Sequence, residues 1–428
     1  MMNLADHPGR YELANELHAR PSPALSAPGT AVYLAIKRPD HAANRDREAD
    51  RAHLIALLDR FGAPHPSPGA NHYFGEIGRY HLKWEQHNEF VSYTVFSDGI
   101  SSRAFDPAAF DVFPDEWLAD APGARITSAH IRVQQMPGTE KEMDKLVREW
   151  FVSESIASNW VLDRAAMVAG DFRIDPAGHM RLVAFISEST SKRRIGRIVQ
   201  RLCEIETYKT MSMLGFPVAQ EIHRKLRNLD GELTHLVGAM TRGDELPDNT
   251  LRELLTISSE LEELMASTSF RMGATRAYEA ILNQRIDVLR EERFRGRQTL
   301  SEFMMRRYDP AMRTTKSAAA QLENMAGRAA RAGELLRTRV DVERAEQNQA
   351  LLESMDKRAQ LQLRLQETVE GLSVVAISYY AVSLAGYLFY PLTDTFGVSK
   401  GTLTAALTLP VVLLVWLAVR RIRKSLGH

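Results

Sequence analysis

Residues 371–393 read GLSVVAISYYAVSLAGYLFYPLT and residues 401–419 read GTLTAALTLPVVLLVWLAV, with only DTFGVSK between them. Neither run holds a charged side chain. A helix needs roughly 20 apolar residues to cross the hydrocarbon core of a bilayer, so the two runs predict transmembrane helices over 371–393 and 401–419. The segment 394–400 has room only for a turn, and Pro391 marks the end of the first span. A buried hairpin in a soluble core is the alternative, and the span lengths and charged flanks argue against it. A basic tail, 420–428, carries Arg420, Arg421, Arg423 and Lys424; Lys357, Arg358 and Arg364 precede the first span. The turn holds only Lys400. Lys and Arg collect on the cytoplasmic side of membranes. The expectation is therefore a multi-pass protein with both termini cytoplasmic and the turn outside.

The first span has an unusual face. Ser373, Ala376, Tyr380, Ser383, Tyr387 and Tyr390 recur at steps of three and four, which aligns them on one helical seam. No large aliphatic side chain belongs to it. Hydroxyl groups in lipid need partners, either a second helix or water in a pore. Both readings stay open, and they agree if several copies pack about one axis. Asp394, the only carboxylate of the turn, would then form an acidic ring at the mouth.

Upstream, residues 191–370 hold few strand signals and three strong breaks: Gly215-Phe216-Pro217, Gly243 to Pro247, and Tyr308-Asp309-Pro310. Between the second and third, Leu254, Ile257, Leu261, Leu264, Thr268, Met272, Thr275, Leu282, Ile286 and Leu289 hold a near-3.5 period with slips. This predicts a helix of about 60 residues, roughly 90 Å long at 1.5 Å per residue. After Pro310, a favoured first-turn residue, no proline occurs until Pro391. One helix is expected to run straight into the first span. Its apolar seam is thin (Leu351, Met355, Leu361, Leu365, Val369, Leu372), so it needs neighbours. An antiparallel long hairpin, packed on other copies, is expected.

Residues 1–190 mix strand and helix signals. Strands are expected at 30–37, 79–86, 89–97, 125–134, 167–174 and 179–186. Helices are expected at 44–61 and 139–149, with a hairpin turn at His87-Asn88. The fold class is an α+β cytoplasmic head (1–190), a long α-helical stalk (191–370) and a C-terminal two-helix transmembrane hairpin.

Lys and Arg number 54 and Asp and Glu 54. That balance excludes a globally basic nucleic-acid binder and a strongly acidic disordered chain. Cys203 stands alone, which excludes an intrachain disulfide framework and cysteine-cluster metal sites and fits a reducing compartment. Residues 1–21 lack the apolar stretch of a secretory signal. Ligand-binding candidates are Glu16, His18 and Arg20 near the start, and the stripe Arg193, Arg197, Arg201 at helical spacing. The bland readings are a tied-down terminus and pairing with Glu204 and Glu206. His81, His87 and Glu89 raise a metal question, but a turn between them would part the set, and structural histidines are the simpler reading. No Walker-A, Gly-x-Gly-x-x-Gly, Gly-x-Ser-x-Gly or kinase motif occurs, so no enzyme is expected. A head-domain enzyme using His18, His87 or Arg20 is the weakest option.

Five segments in order, NELHARP (15–21), WEQHNEF (84–90), GDFRIDPAGH (170–179), QRLCEIETYK (200–209) and TVEGLSVVAISYY (368–380), resemble the bacterial predicted membrane-anchored protein family of unknown function. The resemblance spans nearly the whole chain and implies anchoring in the bacterial inner membrane. The order of head, long helices, two C-terminal spans, short outer turn and basic tail is similar to the CorA magnesium-transporter superfamily. That likeness implies a homo-oligomer of five copies with the first span lining a pore. The superfamily ends this span with Gly-Met-Asn; here the stretch is Gly386-Tyr387-Leu388-Phe389-Tyr390-Pro391. The expected function is a ligand-gated cation channel or transporter of open ion selectivity; its cofactor is left open, with a divalent cation as one candidate and a cation or cytoplasmic ligand as candidate partner. The alternative is a non-conducting scaffold or regulator acting through the head. Membrane lipid and further copies are the expected partners, and nucleic acid is not.

Overall fold

A computed structural model describes residues 6–16, 22–40, 42–242, 247–389 and 399–426. The chain divides into two units. The first holds residues 1–244 and 252–332, and the second holds 245–251 and 333–428.

The first unit is built on one nine-stranded sheet. Its strands are β1 (Gly29–Lys37), β2 (His72–Ile77), β3 (Tyr80–Gln86), β4 (Phe90–Asp98), β5 (Ala124–Gln135), β6 (Ala157–Val161), β7 (Ala166–Ile174), β8 (Met180–Ile186) and β9 (Glu292–Arg293). The spatial order is β2-β3-β4-β1-β5-β8-β7-β6-β9, and only β5 and β8 run parallel. Short helices α1 (Arg10–Glu16), α2 (Arg47–Arg60), α3 (Asp115–Ala119) and α4 (Glu140–Trp150) come from the same part of the chain. Alternation along the strands sends side chains to opposite faces. On β1, Val32, Leu34 and Ile36 meet Leu54, Leu57 and Leu58 of α2 and Trp117 of α3. Ala31, Tyr33 and Ala35 of the same strand join Ile198, Val199 and Leu202 of α5 (Lys192–Met213) on the other face. The sheet is thus the middle layer of three. An N-terminal mixed α+β domain followed by a long helical region is the observed architecture.

The predicted strand ends fall within about a residue of the observed ones for β1, β3, β4, β5, β7 and β8. The β3–β4 turn sits one residue later than expected. It is Asn88-Glu89, closed by the His87 N–H donating to the Phe90 carbonyl at 2.9 Å. The cause is Glu89, which turns inward and is 1 % exposed. Its carboxylate accepts from the Arg271 guanidinium and, at 3.1 Å, from the Tyr278 hydroxyl. Arg45 holds the same turn from behind, donating to Asp50 at 2.8 Å, to the Phe90 carbonyl at 3.0 Å and to the Asn88 carbonyl.

Helices follow the sheet. They are α6 (Gly215–Arg242), α7 (Pro247–Asp287), α8 (Leu300–Arg307), α9 (Asp309–Leu388) and α10 (Lys400–Leu426). The three expected breaks sit at the α5/α6, α6/α7 and α8/α9 boundaries. Gly215 is required where α6 begins, because a Cβ there would lie 2.3 Å from Thr275 Oγ1 on α7. The expected 60-residue helix is corrected: α7 has 41 residues. The apolar period continues to Leu289, but Arg290 takes a φ of 47° and Arg295 one of 48°. Left-handed backbone ends a helix. Phe294, fully buried against Trp160 and Met167, pulls this stretch onto the sheet, where β9 pairs with β6. The capping box Thr299–Glu302 then starts α8. Early turns of α9 are joined to α6 by Arg328–Asp230 at 2.5 Å and to α7 by Lys316–Glu279 at 2.8 Å.

In the second unit, the later part of α9 and the whole of α10 contain two stretches long and apolar enough to cross a membrane. The apolar seam expected of this part of α9 is exposed throughout: Leu351, Met355, Leu361, Leu365, Val369 and Leu372 all face outward.

Candidate functional site

The end of α9 and the length of α10 border a groove of about 560 Å³. On α9 it is lined by Val375, Ser378, Val382, Ser383, Gly386 and Tyr387 among others, and α10 contributes Leu403, Thr404, Thr408 and Val412. Small residues at steps of three and four let two helices approach. Three hydroxyls on these two helices, two of them in the groove, bond back along their own helix. Ser373 Oγ donates to the Val369 carbonyl at 2.8 Å, Thr404 Oγ1 to Lys400 at 3.0 Å and Thr408 Oγ1 to Thr404 at 2.7 Å. This i−4 bonding spares a hydroxyl the cost of facing hydrocarbon alone. Ser378 is the exception: it is 5 % exposed and its Oγ has no hydrogen bond.

The predicted seam is divided by this groove. Ser383 and Tyr387 lie on its edge. Ser373, Ala376 and Tyr380 do not line it and are exposed, Tyr380 at 67 %. At about 100° per residue, the lining through Ser378 and Val382 lies roughly half a turn from the face of Tyr380. Tyr390 and Asp394 lie outside the described residues, as do the side chains of Arg423 and Lys424. On α10, Arg420 stacks over Trp416 at 4.9 Å, a cation–π contact at the start of the basic tail. Sequence reasoning missed the groove's own face. The signal was present: Ser378, Val382, Gly386 on one helix and Thr404, Thr408 on the other are small or hydroxyl-bearing at helical spacing.

The other nominated residues are scattered. Glu16 closes α1, its side chain outside the described residues, and His18 and Arg20 lie outside them altogether. Arg193 and Arg197 are exposed on α5. Arg201 is half-buried and pairs with Glu204 at 3.3 Å. His81 stacks on Phe74 and His87 on Phe90, while Glu89 belongs to Arg271 and Tyr278. His53 stacks on Trp117 at 3.9 Å and bonds to the Tyr93 hydroxyl at 2.9 Å; burial lowers its pKa. Among the described residues no group of three or more His, Cys, Asp or Glu is placed to hold a metal ion.

A different histidine pair sits on the α2 side of the sheet. His130 on β5 is 6 % exposed, edge-on to Phe105 at 5.4 Å. His179 is stacked on Phe110 at 3.5 Å and hydrogen-bonded through Nδ1 to Ser128 Oγ at 2.9 Å. Burial pushes both imidazoles down to about 4, helped at His130 by His179 and at His179 by Arg125.

A family model described as "Protein of unknown function (DUF3422)" matches residues 5–426 of the chain. No match to a curated protein was found.

Proposed function

The chain belongs to the DUF3422 family, and we propose that it works as a homo-oligomer of CorA-like architecture in the bacterial inner membrane. Its head and basic tail lie in the cytoplasm on this reading, and its first spans together line a cation path under the control of a ligand at the head. One observation carries the reading. Ser373, Ala376 and Tyr380 form a polar face turned away from the chain's own second span. In lipid such a face needs partners, and further copies of the same span supply them. The exposed stripe Leu351 to Leu372 on α9 calls for the same neighbours. Two spans of one chain cannot enclose a pore, so assembly is a condition of conduction. Asp394 from each copy gives the mouth its negative charge, which favours a cation.

A second reading has its own support. Ser383 and Tyr387 border the groove within one chain, beside Thr404 and Thr408. That is the surface of helix packing, and it suits a non-conducting scaffold or regulator held at the membrane by the hairpin.

The test is full-length protein in liposomes, assayed for divalent and monovalent cation flux, with light scattering of the detergent-solubilised protein. Conduction predicts an assembly of about five copies and flux that falls with Tyr380→Ala and with Asp394→Asn. A monomer, or an assembly without flux, sinks the conduction reading. In the second case, recovery of a defined partner by the full chain favours the scaffold.

A further inference from the structure

Strand β3 and the middle of β4, which bury an apolar face under α2, turn polar side chains toward α5. On β3, Leu82 and Trp84 enter the apolar core, while Lys83 and Glu85 point the other way. Register places Thr94 opposite Lys83, Ser92 opposite Glu85, and Tyr33 of β1 opposite Thr94. Over them lies one face of α5, with Gln200, Cys203, Glu204 and Thr207 at steps of three and four, and Arg285 reaches in from α7. Together these groups enclose a chamber of about 230 Å³. All of it lies in the first unit.

Some of the chamber's polar groups bond to one another, as Thr207 Oγ1 does to the Tyr33 hydroxyl at 2.6 Å, but three buried atoms do not. Lys83 is 5 % exposed. Its Nζ lies 3.0 Å from Glu85 Oε2, a charge contact outside hydrogen-bonding geometry, and it makes no hydrogen bond. Arg285 Nε stands likewise 2.5 Å from Glu204 Oε2 without a hydrogen bond. Gln200 donates through Nε2 to Glu204 at 2.8 Å, and its buried Oε1 accepts nothing. A buried ammonium with donors unmet is expensive, and buried polar groups in folded proteins are nearly always paired. Three orphans around one cavity mark a place where something else completes the bonding.

We propose that this chamber is a binding site for a small zwitterionic amino acid. Beyond their charge contacts with Glu85 and Glu204, Lys83 and Arg285 keep N–H donors unmet, and those donors suit a carboxylate. One neutral acceptor, Gln200 Oε1, asks for an N–H. Two cations and two carboxylates, Glu85 and Glu204, line the space, so a ligand of zero net charge leaves no uncompensated charge behind. Phe90, Phe96 and Tyr33 give the ligand's side chain an apolar wall. The volume is below the roughly 300–1,000 Å³ of sites for drug-sized ligands, and it equals about eight waters at ~30 Å³ each. A nucleotide is too large and too negative. The chamber binds rather than reacts: burial pushes the Cys203 thiol and the Tyr33 phenol up, so neither is an ionised nucleophile at neutral pH. The inference names the ligand class for the head-controlled reading above, but its evidence is independent of the spans.

The test is titration calorimetry and thermal shift on the full-length protein in detergent. Each of the twenty protein amino acids is added singly at ~5 mM. Each hit is repeated with its analogue lacking the amino group and its analogue lacking the carboxylate. The expected result is one or a few amino acids that bind, with both analogues weaker by about tenfold or more, the worth of one charged hydrogen bond. Lys83→Met and Gln200→Leu should each weaken binding by a similar factor. Gln200→Leu, half-buried at the rim, serves if Lys83→Met fails to fold. Binding by none of the twenty overturns the proposal and leaves a water-filled chamber. Equal binding of an analogue, or binding unchanged in both variants, overturns it too. Calorimetry needs no flux, so failure here and failure of conduction are separate results.

Discussion

His130 makes the stability of the head depend on pH in a calculable way. Its imidazole is buried beside Phe105, and its pKa is held down to about 4 against an ordinary 6.5. Burial is the main cause; His179 and Arg132 add to it, while Asp175 and Asp106 oppose it. The folded value lies below the unfolded one, so the unfolded chain takes up the proton first. The contribution is fully present above about pH 6.5 and is lost as pH falls toward 4. Between pH 7.5 and 5.0 the loss is about 2 kcal/mol, at 1.36 kcal/mol per pKa unit. For a unit this large, that lowers the melting temperature by roughly 4 °C. The assay is thermal unfolding of wild type and His130→Gln at both pH values. The drop on acidification should be smaller in His130→Gln by about 4 °C, because Gln does not titrate. His179 is half-exposed and is common to both proteins, so its share cancels. Equal drops, within about 1 °C, would refute the assignment.

Four further outcomes follow from named contacts. Arg45→Met should destabilise the head by about 3–5 kcal/mol in urea unfolding, because it strands a buried Asp50 and the turn carbonyls; adding Asp50→Leu should return part of the loss. Gly196→Ala should cost about 1–3 kcal/mol, since a Cβ would stand 1.7 Å from the Pro23 carbonyl, a backbone atom that cannot swing aside. Cys203, 4 % exposed with its thiol pushed up by burial, should resist maleimide at pH 7.5 for hours and label at once in denaturant; rapid native labelling would show that α5 opens readily. Leu361→Lys with Leu365→Lys should reduce the copy number seen by light scattering, because both side chains are exposed on α9; an unchanged assembly would place the interface elsewhere.

What the sequence discloses depends on whether a signal is local. The two long apolar stretches were legible because length and lack of charge are properties of a run of residues. Strands β1, β3 and β4 were legible because β-branched and aromatic residues bounded by turn signals are local too. β6, ASNWV, was missed because it is buried at every position and shows no alternation. β9 has only two residues and exists because Phe294 finds a pocket made by distant strands. The same reason ended α7 early, since nothing before Gly296 breaks the period by residue type. The chamber is the clearest case. Lys83, Glu85, Ser92 and Thr94 alternate with apolar residues as a solvent-facing strand would. Only α5, from more than a hundred residues downstream, turns that face into an interior. The Arg193–Arg197–Arg201 stripe was read correctly as a helical face, and the Glu204 partner of Arg201 was the bland alternative.

The pairing of β9 with β6 also sets an order of events during synthesis. Until Arg293 has left the ribosome, β6 is an open strand edge, the kind that pairs with other chains. Once it has, the edge can close, and the first span at Gly371 is still to be made. At ~5–20 residues per second the interval is roughly 4–15 s. The β6 edge can therefore be covered before either of the two long apolar stretches has been made.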